Sequence, residues 1–199
     1  MCNDYRLEVD IAGVPSGLAT QLRSHYVPRM TIAPTPFDPD APGGGVTALV
    51  RRKPDDKSKV EMVKAVWGSD PRFSDGINYR FVRTEGRSFP DRRCLIPASE
   101  FRMGTGSHRY RATLDSGNFF YLAAIWDPPL ADWPLSYRIL TIDAGPDVSP
   151  YQSRHGVIVE RRDVMHWLDG TIPDETLFAP PPKHSLFVEP LRAQAALPL

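Results

Sequence analysis

Cysteine is scarce in this chain: 199 residues hold two, Cys2 and Cys94. The opening stretch MCNDYRLEVDI also lacks the basic segment and apolar core of a secretory signal. A disulfide framework is therefore not expected. The five histidines (His25, His108, His155, His166 and His184) are scattered and show no ligand spacing. With two cysteines they do not suggest the roughly four ligands of a structural zinc site, so neither a metal nor a cofactor is expected. No apolar run reaches the ~18 residues of a membrane-spanning helix, which makes the cytoplasm the expected compartment. An excess of positive charge is missing too. Lys+Arg and Asp+Glu balance at 24 each, which excludes a general nucleic-acid binder that works by bulk charge. No internal repeat and no low-complexity segment is present.

What is there is a globular composition, 41% apolar. A chain of this length buries about 70% of its unfolded surface without help from a disulfide or metal. One domain over residues 1–199 is expected, with 191–199 as a loose tail. The 21 prolines and 14 glycines fall at intervals that favour short strands and ordered loops. Stretches rich in β-branched and aromatic residues predict strands over Val46–Arg52, Lys59–Trp67, Arg93–Pro97, Arg109–Leu114, Phe119–Trp126, Tyr137–Asp143 and Gly156–Val159, with a last strand in the tail. Asp115-Ser-Gly117 reads as a hairpin turn. Helices are expected over residues 16–25 and over Arg162–Leu168, the second with Gly170 after its end. Residues 33–45 read as a loop. The sum is an α+β fold, mostly β, with a few short helices.

Two features carry chemistry. Positive charge is concentrated locally: between Arg80 and Arg93 stand five arginines against two acids, so any nucleic-acid contact is expected in one groove. The other feature is Cys2. Methionine aminopeptidase removes Met1 before a small second residue, leaving an α-amine and a thiol on adjacent carbons. Their ordinary pKa values, about 8 and about 8.5, keep reactive forms of both accessible at neutral pH. An aldehyde meeting this pair forms a Schiff base with the amine, and the thiol then closes a five-membered thiazolidine. The same thiol could serve as an N-terminal nucleophile in amide hydrolysis, with the amine as its base. Cys94, inside an apolar run, reads as a packed core thiol.

The order of motifs resembles one family. The opening MCNDYRL, Thr31–Pro34, Ala48–Arg52, Val66-Trp67-Gly68, Arg92–Ala98 (RRCLIPA), Tyr121–Trp126, Thr141–Pro150, Tyr151–Val159 and Met165–Asp169 are similar, in that order, to the segments of SRAP proteins, the SOS response-associated peptidase family. The resemblance runs from Met1 to about Leu191. It implies an SRAP-like fold with strands around a central cleft. It also implies binding to single-stranded DNA at abasic sites, a covalent thiazolidine link from Cys2 to the opened sugar, and an autopeptidase step that removes Met1. The location implied is cytoplasmic, at the nucleoid, and the expected form is a monomer. Carried over by the same resemblance, the catalytic set is Cys2, Asn78, Glu100 and His155. The DNA-binding set is Trp67, Arg80, Arg83, Arg154 and Gln152.

The chain departs from the family pattern at three places. Met103 stands where the family glutamate belongs, while Glu100 lies one residue before Phe101 and should point to the opposite face of a strand. Gln152 stands where the family histidine belongs, two before Arg154, and His155 follows that arginine. The family asparagine is matched by Asn78 in one register and by Phe81 in the other. Methionine and glutamine do not shuttle protons, so two alternatives stay open. One is a weakened relative that binds single strands without covalent chemistry. The other is an N-terminal-nucleophile amidohydrolase acting on a substrate other than DNA.

Overall fold

The computed structural model describes residues 4–6, 46–105, 108–115 and 120–191. Cys2, the predicted helix over 16–25, the 33–45 loop and the Thr31–Pro34 motif lie outside them. The described chain is mostly β: β1 (Asp4–Arg6), β2 (Val46–Lys53), β3 (Asp56–Trp67), β4 (Phe81–Arg83), β5 (Arg93–Ala98), β6 (Glu100–Thr105), β7 (His108–Leu114), β8 (Phe120–Asp127), β9 (Ser136–Asp143), β10 (Arg154–Gly156), β11 (Ile158–Val159) and β12 (Leu186–Pro190). Two short helices, α1 (Val164–Asp169) and α2 (Asp174–Leu177), follow β11.

The larger sheet runs β10-β9-β3-β2-β5-β8-β11, and an additional β9–β8 pairing closes its middle into a ring. Closure explains why the runs RCLIPA and FYLAAIW are continuously apolar. On β5, Cys94 and Ile96 face the cluster that holds Leu49, Trp67, Leu122, Ala124, Tyr137 and Ile139. Leu95 faces a second cluster built on Tyr121, Ala123, Leu140, Val164 and Trp167. Alternate residues are thus buried on both faces, the second one covered by α1. That helix ends as expected at Gly170, which takes the left-handed conformation at φ 62°.

The smaller sheet has the order β1-β6-β7-β12. Phe101, Met103, Ala112 and Leu186 turn into the first core cluster. At its edge β1 pairs antiparallel with β6, setting Asp4 opposite Arg102, Tyr5 opposite Phe101 and Arg6 opposite Glu100. Three elements differ from expectation. β6 was not expected, since SEFRMGT has few β-branched residues; its pairing with β7 and its inward apolar side chains hold it extended. β4 rests on parallel pairing with β9. The single strand expected over Gly156–Val159 is two, paired to different partners, β9 and β8.

Candidate functional site

The first group of candidate residues meets where β3 ends. Trp67 is fully buried. Its indole Nε1 donates to the carbonyl of Arg80 at 3.0 Å, the Arg80 guanidinium lies 5.3 Å over its ring, and Phe81 packs edge-on at 5.2 Å. Trp67 therefore has no open face for stacking a base. The expectation of a DNA platform is corrected here to a core role, because β3 turns this side chain into the closed ring. Gly68 follows at φ +119°, and a Cβ there would lie 1.9 Å from Oδ1 of Asn78. Asn78 uses Nδ2 to donate to the Ser69 carbonyl at 2.8 Å, while its Oδ1 is buried without a hydrogen-bond partner. Trp67, Asn78 and Arg80 are thus brought together.

The second group centres on Arg154, which is 7% exposed. Its Nη1 donates to Asp143 at 2.7 Å, and its Nη2 to both carboxylate oxygens of Glu85, at 2.7 and 3.0 Å, and to the Thr141 carbonyl at 2.7 Å. Nε points at Thr141 Oγ1, 3.4 Å away. Arg83 is exposed on β4 and lies close enough to act electrostatically on Glu85. Burial pushes the Glu85 carboxyl up, but hydrogen bonds from its own backbone and from Arg154 outweigh this and hold it below its ordinary value. Asp143 and Glu85 were not singled out from the sequence. Only the fold brings Glu85 to Arg154, across β4 and β9.

His155, the next residue, is fully buried. Its Nδ1 lies 2.7 Å from the carbonyl of Gly156. A carbonyl only accepts, so Nδ1 carries the proton and Nε2 is the basic nitrogen. Nε2 is buried with no hydrogen-bond partner among the described residues, beneath Gly145, whose added Cβ would lie 3.7 Å away. Burial lowers the imidazole pKa, the Gly156 carbonyl opposes the shift, and the charge of Arg154 adds to it. The ring stacks on Phe101 of β6, centroids 6.0 Å apart at 22°.

Phe101 and Met103 share one face of β6, since both enter the first core cluster. Glu100 projects from the other face, where it accepts from Arg102 Nε at 2.9 Å and lies 3.6 Å from Arg111 Nη1. Arg111 in turn donates to Glu189 at 2.6 Å. The strand is regular from Phe101 to Thr105, so Glu100 and His155 are not brought together. Gln152 follows Tyr151, whose place is fixed by its ring: it packs on Tyr110 at 4.5 Å, and Tyr110 stands directly opposite Met103. Both amide atoms of Gln152 are buried with no hydrogen-bond partner among the described residues.

A cleft of about 890 Å³ elsewhere is lined by Tyr121, Val159, Arg161, Leu177 and Pro180–Pro182 among others, and none of the described candidate residues lines it. Among the described residues no group of three or more His, Cys, Asp or Glu could hold a metal ion. No described helix is long and apolar enough to cross a membrane.

Comparison with known proteins joins these pieces. Two crystal structures share the fold. A protein from Bordetella bronchiseptica has a TM-score of 0.61 at 21% identity, covering 74% of this chain and 84% of that one. A protein from Bacteroides thetaiotaomicron has a TM-score of 0.57 at 16% identity, covering 74% of each chain. At these identities the likeness is one of fold. No curated protein matches the chain. The family model described as SOS response associated peptidase (SRAP) matches residues 1–194, a span that holds the Trp67–Asn78, Arg154 and His155 corners together with Cys2, and so this chain belongs to the SRAP family.

Proposed function

We propose that this chain captures abasic sites in single-stranded DNA, with Cys2, bared by loss of Met1, as the bonding residue. Family membership supplies the broader setting, a role associated with DNA damage. In the capture step the α-amine adds to the C1 aldehyde of the opened sugar and water leaves, giving a Schiff base. The thiol sulfur then adds to the imine carbon, its proton passes to the nitrogen, and a thiazolidine closes. Nothing is oxidised or reduced, and no cofactor enters.

The observation that carries this reading is the pairing of β1 with β6. The strand that follows Cys2 by two residues is docked on the strand whose Phe101 ring lies against His155. That pairing supports a thiol working near the edge of the smaller sheet. The proton-transfer set differs from the one the family resemblance implies. At the places the family resemblance gives to a glutamate and a histidine stand Met103, which moves no proton, and Gln152, which donates and accepts hydrogen bonds but does not titrate, while the neutral His155 lies against Phe101 of β6. Positioned acid–base groups contribute about 10²–10⁴-fold, so capture proceeds on the intrinsic reactivity of the aminothiol and is slow.

Incubation with a single strand carrying one abasic site, read by intact mass, tests this. The expected result is a covalent adduct that maps to Cys2 and is absent in Cys2→Ala. Retention of Met1, or no adduct after hours, rejects covalent capture. The same residues, Met103 and Gln152, favour a second reading in which the protein holds single strands without bonding to them. Binding that falls steeply with salt and leaves no adduct selects it. Salt-insensitive behaviour would point instead to amide hydrolysis on another substrate.

A further inference from the structure

Arg154 stands at the place where the family resemblance puts a phosphate contact, yet its guanidinium is already engaged. It presents five N–H donors in a fixed plane. One N–H of Nη2 is shared by the two carboxylate oxygens of Glu85 and the other goes to the Thr141 carbonyl, while Nη1 donates to Asp143 and Nε points at the Thr141 hydroxyl. The geometry of exposure matters as much. The Arg154 side chain is 9% exposed, whereas Glu85 is 52% and Asp143 87% exposed. An approaching phosphate thus meets two carboxylates before it meets the cation beneath them. Charge gives the same result: Arg154 and the neighbouring Arg83 are balanced by Glu85 and Asp143, so the corner presents no net positive charge.

We propose that Glu85 and Asp143 are affinity-setting residues of this site, a carboxylate clasp that withholds Arg154 from the DNA backbone. This rests on the single-strand reading above and adds what limits its strength. A phosphate reaches Arg154 only by displacing Glu85 or Asp143, and it must overcome like-charge repulsion while doing so. Capture of a lesion then depends on the aldehyde more than on tight backbone binding, and undamaged single strands are released readily. Thr141 holds the guanidinium in place through its carbonyl whichever carboxylate is displaced.

Direct titration of a fluorescent oligothymidylate from 0.1 to 1 M salt tests the clasp, with wild type, Glu85→Gln, Asp143→Asn and the double variant compared. Neutralising the clasp frees about one phosphate contact. The salt slope is then expected to steepen by about 0.7, so that the variant's affinity relative to wild type rises about five-fold from 1 M to 0.1 M salt. Equal slopes, or weaker binding, in variants that keep the wild-type melting temperature overturn the proposal. Should Glu85→Gln fail to fold, Asp143→Asn, altered at a largely exposed side chain, decides alone. Failure of the clasp and failure of the lesion-capture reading remain distinct. A Cys2 adduct with unchanged slopes removes the clasp only. Steeper slopes with no adduct remove covalent capture only.

Discussion

Gly68 and Asn78 occupy each other's space: a Cβ on Gly68 would lie 1.9 Å from the Asn78 side-chain oxygen. The Trp67-Gly68 pair therefore does more than end β3. A backbone at φ +119° without a side chain is what lets Asn78 lie over it and donate to Ser69. Gly68→Ala is expected to cost about 1–3 kcal/mol from the forced backbone alone, plus displacement of Asn78. Combining it with Asn78→Ala should relieve the clash and leave the strain. Urea denaturation of both single variants and the double variant checks this, and additive losses would contradict it.

Gln152 is the place to restore proton transfer. Its amide is buried and has no hydrogen-bond partner among the described residues, and its neighbour Tyr151 packs on Tyr110, opposite Met103 of β6. Gln152→His should speed adduct formation, or its hydrolytic reversal, by at least about ten-fold, within the range positioned acid–base groups supply. It should also introduce a rate dependence near the ordinary imidazole pKa. Glu100→Gln, altered on the opposite face, should leave both rates within about two-fold. Single-turnover kinetics across pH separates the two, and a large loss in Glu100→Gln would show that Glu100 reaches the chemistry after all.

His155 should make the fold sensitive to acid. Its pKa is lowered in the folded protein by burial and by Arg154, so below the ordinary value of about 6.5 the unfolded chain takes up a proton that the native state refuses. The stabilising contribution is complete above pH 6.5. It declines as pH falls below that value, at up to about 1.4 kcal/mol per pH unit, until the folded pKa is reached. His155→Leu should flatten the slope of stability against pH between 5 and 7, whatever its absolute stability. An identical slope in both proteins would remove His155 as the cause.

A buried ion pair fastens the helices to the ring. Arg93 Nη2 lies 2.7 Å from Asp174 Oδ1, with both side chains under a tenth exposed. Arg93 also donates to the Phe89 carbonyl at 2.6 Å and to the Trp167 carbonyl at 3.2 Å, while Asp174 Oδ2 accepts from the Phe89 N–H. Removing one partner leaves a buried charge uncompensated. Asp174→Ala should therefore cost about 3–5 kcal/mol. Replacing both partners with apolar residues should recover part of that loss, though the Phe89 N–H stays orphaned. Thermal denaturation of the pair of variants decides it.

β5, β8 and β9 of the ring were legible in the chain because both of their faces are buried. Continuous runs such as FYLAAIW need no partner information to be read as core strands. The helix ahead of Gly170 was legible from its stop signal. β6 was not, because an alternation of Glu100 and Arg102 with Phe101 and Met103 becomes a strand only through its neighbours β1 and β7. Cys2 was legible as chemistry, since an N-terminal aminothiol is a property of bonding and not of folding.

Sequence alone thus determined the fold class and the order of the family's segments, both of which depend on local composition. Only the tertiary structure decided which side chains meet. Whether Trp67 is open or enclosed, whether Glu100 shares a face with His155, and whether Arg154 is available or clasped by Glu85 and Asp143 follow from strand register and sheet closure. These join residues as far apart as Glu85 and Arg154, and one residue of slip on a strand exchanges the face that each side chain presents.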